Sequence, residues 1–116
     1  MLEKPADAAD ARRMLASLSG ARHAVHTGVA LVLAGGRELV FSETTFVEFG
    51  DLSAAAIAAY VASGEAEGKA GAYGIQGRAA AFVRRIEGDY FNVVGLPLHA
   101  LCGALDGLIA SGELEL

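Results

Sequence analysis

The chain has one cysteine, Cys102, so no internal disulfide can form. Its place in an apolar helical pattern reads as a core thiol, which excludes it as a nucleophile. No apolar run approaches the ~18–20 residues needed to span a bilayer. The opening Met1-Leu2-Glu3-Lys4-Pro5 lacks the apolar segment of a secretory leader. The expected address is therefore cytoplasmic, with no membrane partner. Positive charge is scarce: 9 Lys and Arg stand against 14 Asp and Glu, for a net charge of −5. That balance argues against a protein that coats nucleic acid, although it leaves room for a local basic pocket. There is no cysteine cluster for zinc, no defensible Ser/His/Asp arrangement, no internal repeat and no low-complexity linker. His23 and His26, three apart in a strand, fall on opposite faces and cannot chelate one metal together. The acids Asp51, Glu65, Glu67 and Asp89 form no tight pair by spacing.

Apolar residues make up 53% of the 116 positions, which is too apolar for disorder and enough for one core. The reading is a single domain, residues 1–116. A helix is expected over Pro5–Leu18, capped by Asp7, with Ala8, Ala11, Met14, Leu15 and Leu18 on one face and Ser19-Gly20 at its end. Strands follow over His23–Leu33 and Glu38–Phe49. The run from Val29 on suggests burial on both faces, and Ala34-Gly35-Gly36-Arg37 turns the pair into a hairpin. Ser53 caps a helix over Ala54–Ser63, with Ile57, Tyr60 and Val61 inward. A second hairpin is expected from Ala79–Glu87 and Tyr90–Leu96 around Gly88-Asp89. Pro97 then starts a last helix with Leu98, Leu101, Cys102, Leu105, Leu108 and Ile109 inside. The order predicts an α/β fold: a mixed β-sheet with flanking helices.

The most telling stretch is Lys69-Ala70-Gly71-Ala72-Tyr73-Gly74-Ile75-Gln76-Gly77. Glycines let backbone N–H groups approach phosphate oxygens closely. Lysine supplies a compact cation. An amide side chain offers a donor and an acceptor to a base edge. Together they suit a phosphorylated, planar ligand; the plainer alternative is a glycine-rich structural turn. Lys4, held extended by the proline after it, is a second candidate phosphate contact, against the plainer reading of a solvated charge. Glu65, at the wrong end of its helix for the dipole, calls for a partner such as Lys69 or a metal, or is a solvent-exposed loop acid.

These segments occur in an order that resembles the Maf family of nucleoside triphosphate pyrophosphatases. The matching stretches are Leu2-Glu3-Lys4-Pro5, Thr27-Gly28-Val29-Ala30-Leu31, Ser63-Gly64-Glu65, the Lys69–Gly77 run, and Ile86-Glu87-Gly88-Asp89-Tyr90-Phe91-Asn92-Val93-Val94-Gly95-Leu96-Pro97-Leu98. The Lys69–Gly77 form resembles the branch acting on dTTP and UTP. The resemblance implies a Maf/ITPase-like fold and cleavage of the α–β phosphoanhydride to monophosphate and pyrophosphate, with Mg²⁺ or Mn²⁺ as cofactor. It implies substrate-binding roles for Lys4, Lys69 and Gln76, the last influencing base choice. The family's Ser-x-Ser-Pro-Arg-Arg loop, its metal-binding Glu and its general-base Asp precede the Leu-x-Lys-Pro motif, and here Met1 stands directly before that motif. The chain is thus expected to match only the C-terminal larger part of the family, N-terminally truncated, with no catalytic residue of its own, unknown metal ligands and weak or no activity alone. Gly68 replaces the acid usual before the lysine. A homo-oligomer or a partner is expected to cover what the missing part would cover. The alternative is a non-catalytic nucleotide-binding or partner-dependent module.

Overall fold

The computed structural model describes residues 3–114. Leu2, the first residue of the Leu-x-Lys-Pro motif, lies outside that range. Helix α1 spans Ala8–Leu18. The Asp7 carboxylate caps it by accepting from the Asp10 N–H at 2.8 Å, an arrangement that contributes about 1 kcal/mol. Ala11, Met14, Leu15 and Leu18 are buried, as the periodicity predicts. The Ser19 hydroxyl then accepts from Leu52 N–H at 2.7 Å, tying the helix end to the segment that leaves the sheet.

Strands β1 (Arg22–Val32) and β2 (Glu38–Phe49) pair antiparallel, from Arg22 opposite Glu48 to Val32 opposite Glu38. Helix α2 (Ala54–Ala62) is capped by the Ser53 hydroxyl, which accepts from Ala56 N–H at 3.0 Å, and it buries Ile57 and Tyr60. Strand β3 (Val83–Glu87) pairs antiparallel with β2 through a bulge at Glu48/Phe49. The sheet order is β1-β2-β3. The sheet flanked by helices is therefore present, and among the described residues its strands are all antiparallel, not mixed.

Three further expectations are corrected. The second hairpin does not form. Arg78–Phe82 is a 3₁₀ turn, β3 finds its partner in β2, and Tyr90–Val94 is a short helix, α3. The β-propensity of Tyr, Phe and Val loses there to a cap: the Asp89 carboxylate accepts from Phe91 N–H at 2.8 Å. The burial of β1 on both faces also fails. Its exposure alternates, and beyond the reach of the helices Val32 and Val40 are 69% and 66% exposed. Finally, helix α4 (Leu98–Ala110) buries only Leu108; Leu98 and Ile109 are exposed, and so is Cys102, which is not a core thiol.

The core gathers where α1 and α2 meet the base of the hairpin. Leu15, Leu18, Val47, Phe49, Ile57 and Tyr60 pack there with Ala72, Tyr73 and Ile75 of the glycine-rich loop. The outer hairpin and α4 extend from this centre, giving a radius of gyration of 17.3 Å and extents of 55 × 26 × 21 Å. A compact domain of this length would have a radius of about 13 Å.

Candidate functional site

The Lys69–Gly77 loop leaves the end of α2 and is held by groups from three directions. Gly71 N–H donates to the Glu3 carbonyl at 2.8 Å, pinning the N-terminal segment against the loop. Gly74 N–H donates to the Tyr60 hydroxyl of α2 at 3.2 Å. From the sheet, His23 Nε2 meets the Tyr73 hydroxyl at 2.6 Å. Gly71 and Ala72 both take positive φ, 71° and 67°. For Ala72, which is fully buried, that conformation costs on the order of 1–2 kcal/mol, and the surrounding packing has to hold it in place.

Two glycines are closely approached by side chains, those of Lys69 and Glu65. A Cβ on Gly74 would lie 3.0 Å from Cδ, Cε and Nζ of Lys69, so the lysine lies across Gly74. A Cβ on Gly77 would lie 2.7 Å from Glu65 Oε1. Glu65 finds its partner in neither Lys69 nor a metal ligand cluster: its Oε2 accepts from Arg78 N–H at 3.2 Å, closing the first turn after the loop. Asp89 is likewise occupied as the cap of α3.

Above the loop lies a cavity of about 350 Å³ lined by Lys69, Ala70, Tyr73, Gly74, Ile75, Gln76 and Gly77, by Ala24, Val25 and His26 of β1, and by Val93 and Val94 of α3. Successive residues of β1 line it because β1 is an edge strand of the described sheet and the cavity sits over that edge. Lys69 and Gln76, picked out by their spacing, share this wall. Lys4 does not line it; it is exposed, one residue beyond the Glu3 anchor. No ion pair to Lys69 forms among the described residues, so its ammonium faces a wall that is otherwise polar-neutral or apolar.

His26 and α3 also shape the cavity, and sequence spacing gives no sign of either. His26 Nδ1 is 2.8 Å from the Thr44 hydroxyl across the hairpin, which orients the ring at the cavity mouth. Valines 93 and 94 are held by their neighbour Asn92, 1% exposed. Its Nδ2 reaches the Val25 carbonyl at 3.1 Å, the Glu43 carbonyl at 3.3 Å and the Thr45 hydroxyl at 3.1 Å. An Asn amid Tyr, Phe and Val was the available signal, since a buried amide in an apolar run needs partners.

Burial sets the protonation states behind the cavity. It pushes the Tyr73 hydroxyl up to about 12 and lowers the His23 imidazole below its ordinary range. Tyr73 and Phe49 face the His23 ring in edge-on contacts, and no carboxylate lies within ion-pairing distance among the described residues. The tyrosine thus keeps its proton, and the imidazole is neutral at physiological pH.

The divalent ion expected from the resemblance finds no ligand set here. Among the described residues no three His, Cys, Asp or Glu side chains gather to hold a metal, and no carboxylate lines the cavity. No helix is long and apolar enough to cross a membrane. Chemically, the wall can bind an anionic tail at Lys69, offer an amide at Gln76, and shield a flat apolar body.

The chain also matches known proteins along most of its length. Residues 1–108 match the family model "Maf-like protein". A dTTP/UTP pyrophosphatase of Symbiobacterium thermophilum is 61% identical over 99 residues, which is 85% of this chain and 50% of the relative. That of Sphingopyxis alaskensis is 60% identical over 98 residues, 84% of this chain and 52% of the relative. That of Ralstonia nicotianae is 55% identical over 105 residues, 90% and 51% respectively. The chain spans about half the length of these relatives. With a family model matched over nearly its whole length and relatives 55–61% identical over most of it, this chain belongs to the Maf family.

Proposed function

We propose that this chain forms the nucleotide-holding wall of a pyrophosphatase that cleaves the α–β phosphoanhydride of dTTP, UTP or a similar nucleoside triphosphate. The observation that carries the reading is the shared cavity of Lys69 and Gln76. In it, Lys69 neutralises phosphate oxygens, and its ammonium acts more strongly beside an apolar wall than in water. Gln76 addresses the polar edge of the base with its paired donor and acceptor. Ala24, Val25, Ile75, Val93 and Val94 cover the base and sugar. Lys4 is proposed to meet the phosphate tail from the N-terminal segment anchored at Gly71.

The wall carries no carboxylate to activate water, and this favours a second reading: the chain binds nucleotide and depends on groups from elsewhere for turnover. A second copy of the chain or a partner polypeptide is the proposed source, together with Mg²⁺ or Mn²⁺ in the assembled enzyme. The exposed apolar residues Tyr90, Phe91, Val94, Leu96, Leu98 and Ile109 support such an association. The net charge of −5 supports a nucleotide partner over a nucleic acid. A cytoplasmic location fits the same reading.

Calorimetric titration with UTP, with and without Mg²⁺, and a pyrophosphate-release assay test both readings. UTP is expected to bind, with Lys69→Ala and Gln76→Ala each weakening it about tenfold or more, equivalent to roughly 1.4 kcal/mol. Turnover is expected to be slow without an added partner, because general-base assistance alone is worth about 10²–10⁴ in rate. Absence of UTP binding, or binding indifferent to both substitutions, overturns the site. Turnover at ordinary enzymatic rates by the pure chain overturns the partner requirement.

A further inference from the structure

We propose that His23 is a positioning residue for the cavity: acting only through Tyr73, it fixes the loop that presents Lys69 and Gln76. The inference rests on the reading of that cavity as a nucleotide site. His23 does not line the cavity; Tyr73 does. Their 2.6 Å contact is the one side-chain hydrogen bond, among the described residues, by which the sheet holds the Lys69–Gly77 loop. The other anchors, Glu3 and Tyr60, come from the N-terminal segment and from α2 and grip backbone N–H groups. Among the described residues the His23 contact is the one hydrogen bond to a side chain of the loop; Phe49 adds an edge-on packing contact to the Tyr73 ring at 4.9 Å between centroids, which gives the ring no hydrogen-bond partner. Tyr73 lies three residues before Gln76 and four after Lys69, so its ring orientation sets the path between the two ligand-facing groups.

The surroundings make this contact specific. The His23 ring is wedged edge-on against Phe49, at 5.3 Å between centroids, and against Tyr73, at 5.5 Å. Its Nδ1 is buried with no hydrogen-bond partner. An orphaned ring nitrogen costs free energy that an apolar residue in the same place would avoid. What the histidine offers against that cost is the contact of Nε2 with the Tyr73 hydroxyl. The orphan also keeps the ring neutral, since an imidazolium would bury a second N–H with nothing to accept it. In the neutral ring Nε2 pairs with the tyrosine hydroxyl as donor or as acceptor according to the tautomer, and either pairing ties the hydroxyl to the sheet.

The test uses the full chain with His23→Phe, Tyr73→Phe, the double variant and His23→Gln, whose amide nitrogen reaches close to the position of Nε2. Amide hydrogen exchange reads the loop, and calorimetry reads UTP affinity. Each single Phe variant is expected to speed exchange of the Gly74 and Ile75 amides by about fivefold to tenfold, the factor carried by one neutral hydrogen bond, while α1 amides hold. UTP affinity is expected to fall by a similar factor, the double variant being no worse than either single. His23→Gln is expected to recover most of both. Equal acceleration in α1 and the loop assigns His23 to general stability and overturns the proposal. So does an affinity loss in Tyr73→Phe that His23→Phe does not share, which would place the hydroxyl directly on the ligand. If the wild-type chain binds no UTP, the nucleotide reading fails, and the exchange measurement still decides whether His23 holds the loop. If His23→Phe does not fold, Tyr73→Phe and His23→Gln decide it by the same two readouts.

Discussion

Replacing Asn92 by alanine probes how one buried amide holds a cavity wall. Its Nδ2 has two hydrogens and faces three acceptors: the carbonyls of Val25 and Glu43 and the hydroxyl of Thr45. Thr45 is itself fully buried and donates to the Asp89 carbonyl at 2.9 Å. Truncation leaves acceptors that water reaches poorly, at about 1–3 kcal/mol for each group left unmade. The amide's own Oδ1 is buried without a partner, and its removal returns part of that cost. The net loss is about 2–3 kcal/mol, which for a domain of this size lowers Tm by roughly 10 °C. Asn92→Asp sharpens the test because it preserves shape. The new carboxyl faces the same acceptors, so its ionised form is disfavoured and its pKa in the folded chain rises above the ~3.9 of an unfolded one. The folded state then binds more protons than the unfolded state above pH ~4, and the variant loses stability as pH rises. Urea unfolding followed by circular dichroism between pH 4 and 8 measures this. A loss below about 1 kcal/mol for Asn92→Ala, or an Asn92→Asp variant whose deficit does not grow with pH, refutes the assigned hydrogen bonds.

Three other outcomes are expected. Gly77→Ala places a Cβ 2.7 Å from Glu65 Oε1, so the Glu65 carboxylate is displaced from its exposed hydrogen bond to the Arg78 N–H; a loss of about 0.5–1 kcal/mol in chemical denaturation is expected, and Glu65→Ala in the same background should add little. The lowered pKa of His23 means the unfolded chain takes up its proton first on acidification; the His23 contribution is complete above the ordinary histidine range near pH ~6.5. It is lost as pH falls through the lowered value, so His23→Phe should flatten this part of the stability–pH profile. Light scattering after size exclusion should report an assembly larger than 11.9 kDa, sensitive to Phe91→Ser, and a well-behaved monomer would remove the support that the exposed apolar face lends to association.

Local chemistry made much of this fold legible. Asp7 and Ser53 cap where their side chains and spacing placed them, and the Ala34-Gly35-Gly36-Arg37 turn joins the two strands as a hairpin. The loop was legible because its polar residues are unusual company for three glycines. What failed depended on neighbours outside each segment. Tyr90–Val94 has the composition of a strand, but the Asp89 cap and the Asn92 amide commit it to a helix. The apolar stripe of α4 reads as an inward face, and that fails because, among the described residues, nothing packs against most of it: only Leu108 is buried.

The sequence by itself determined the caps, the hairpin, and which loop carries a cation and an amide, because those follow from contacts within a few residues. Only the tertiary structure decided that β1 and α3 complete the cavity, that Glu65 closes a backbone turn, and that His23 reaches Tyr73 from 50 positions away. Those pairings arise from the packing of the sheet edge against the loop, and no local propensity encodes which distant groups such packing brings together.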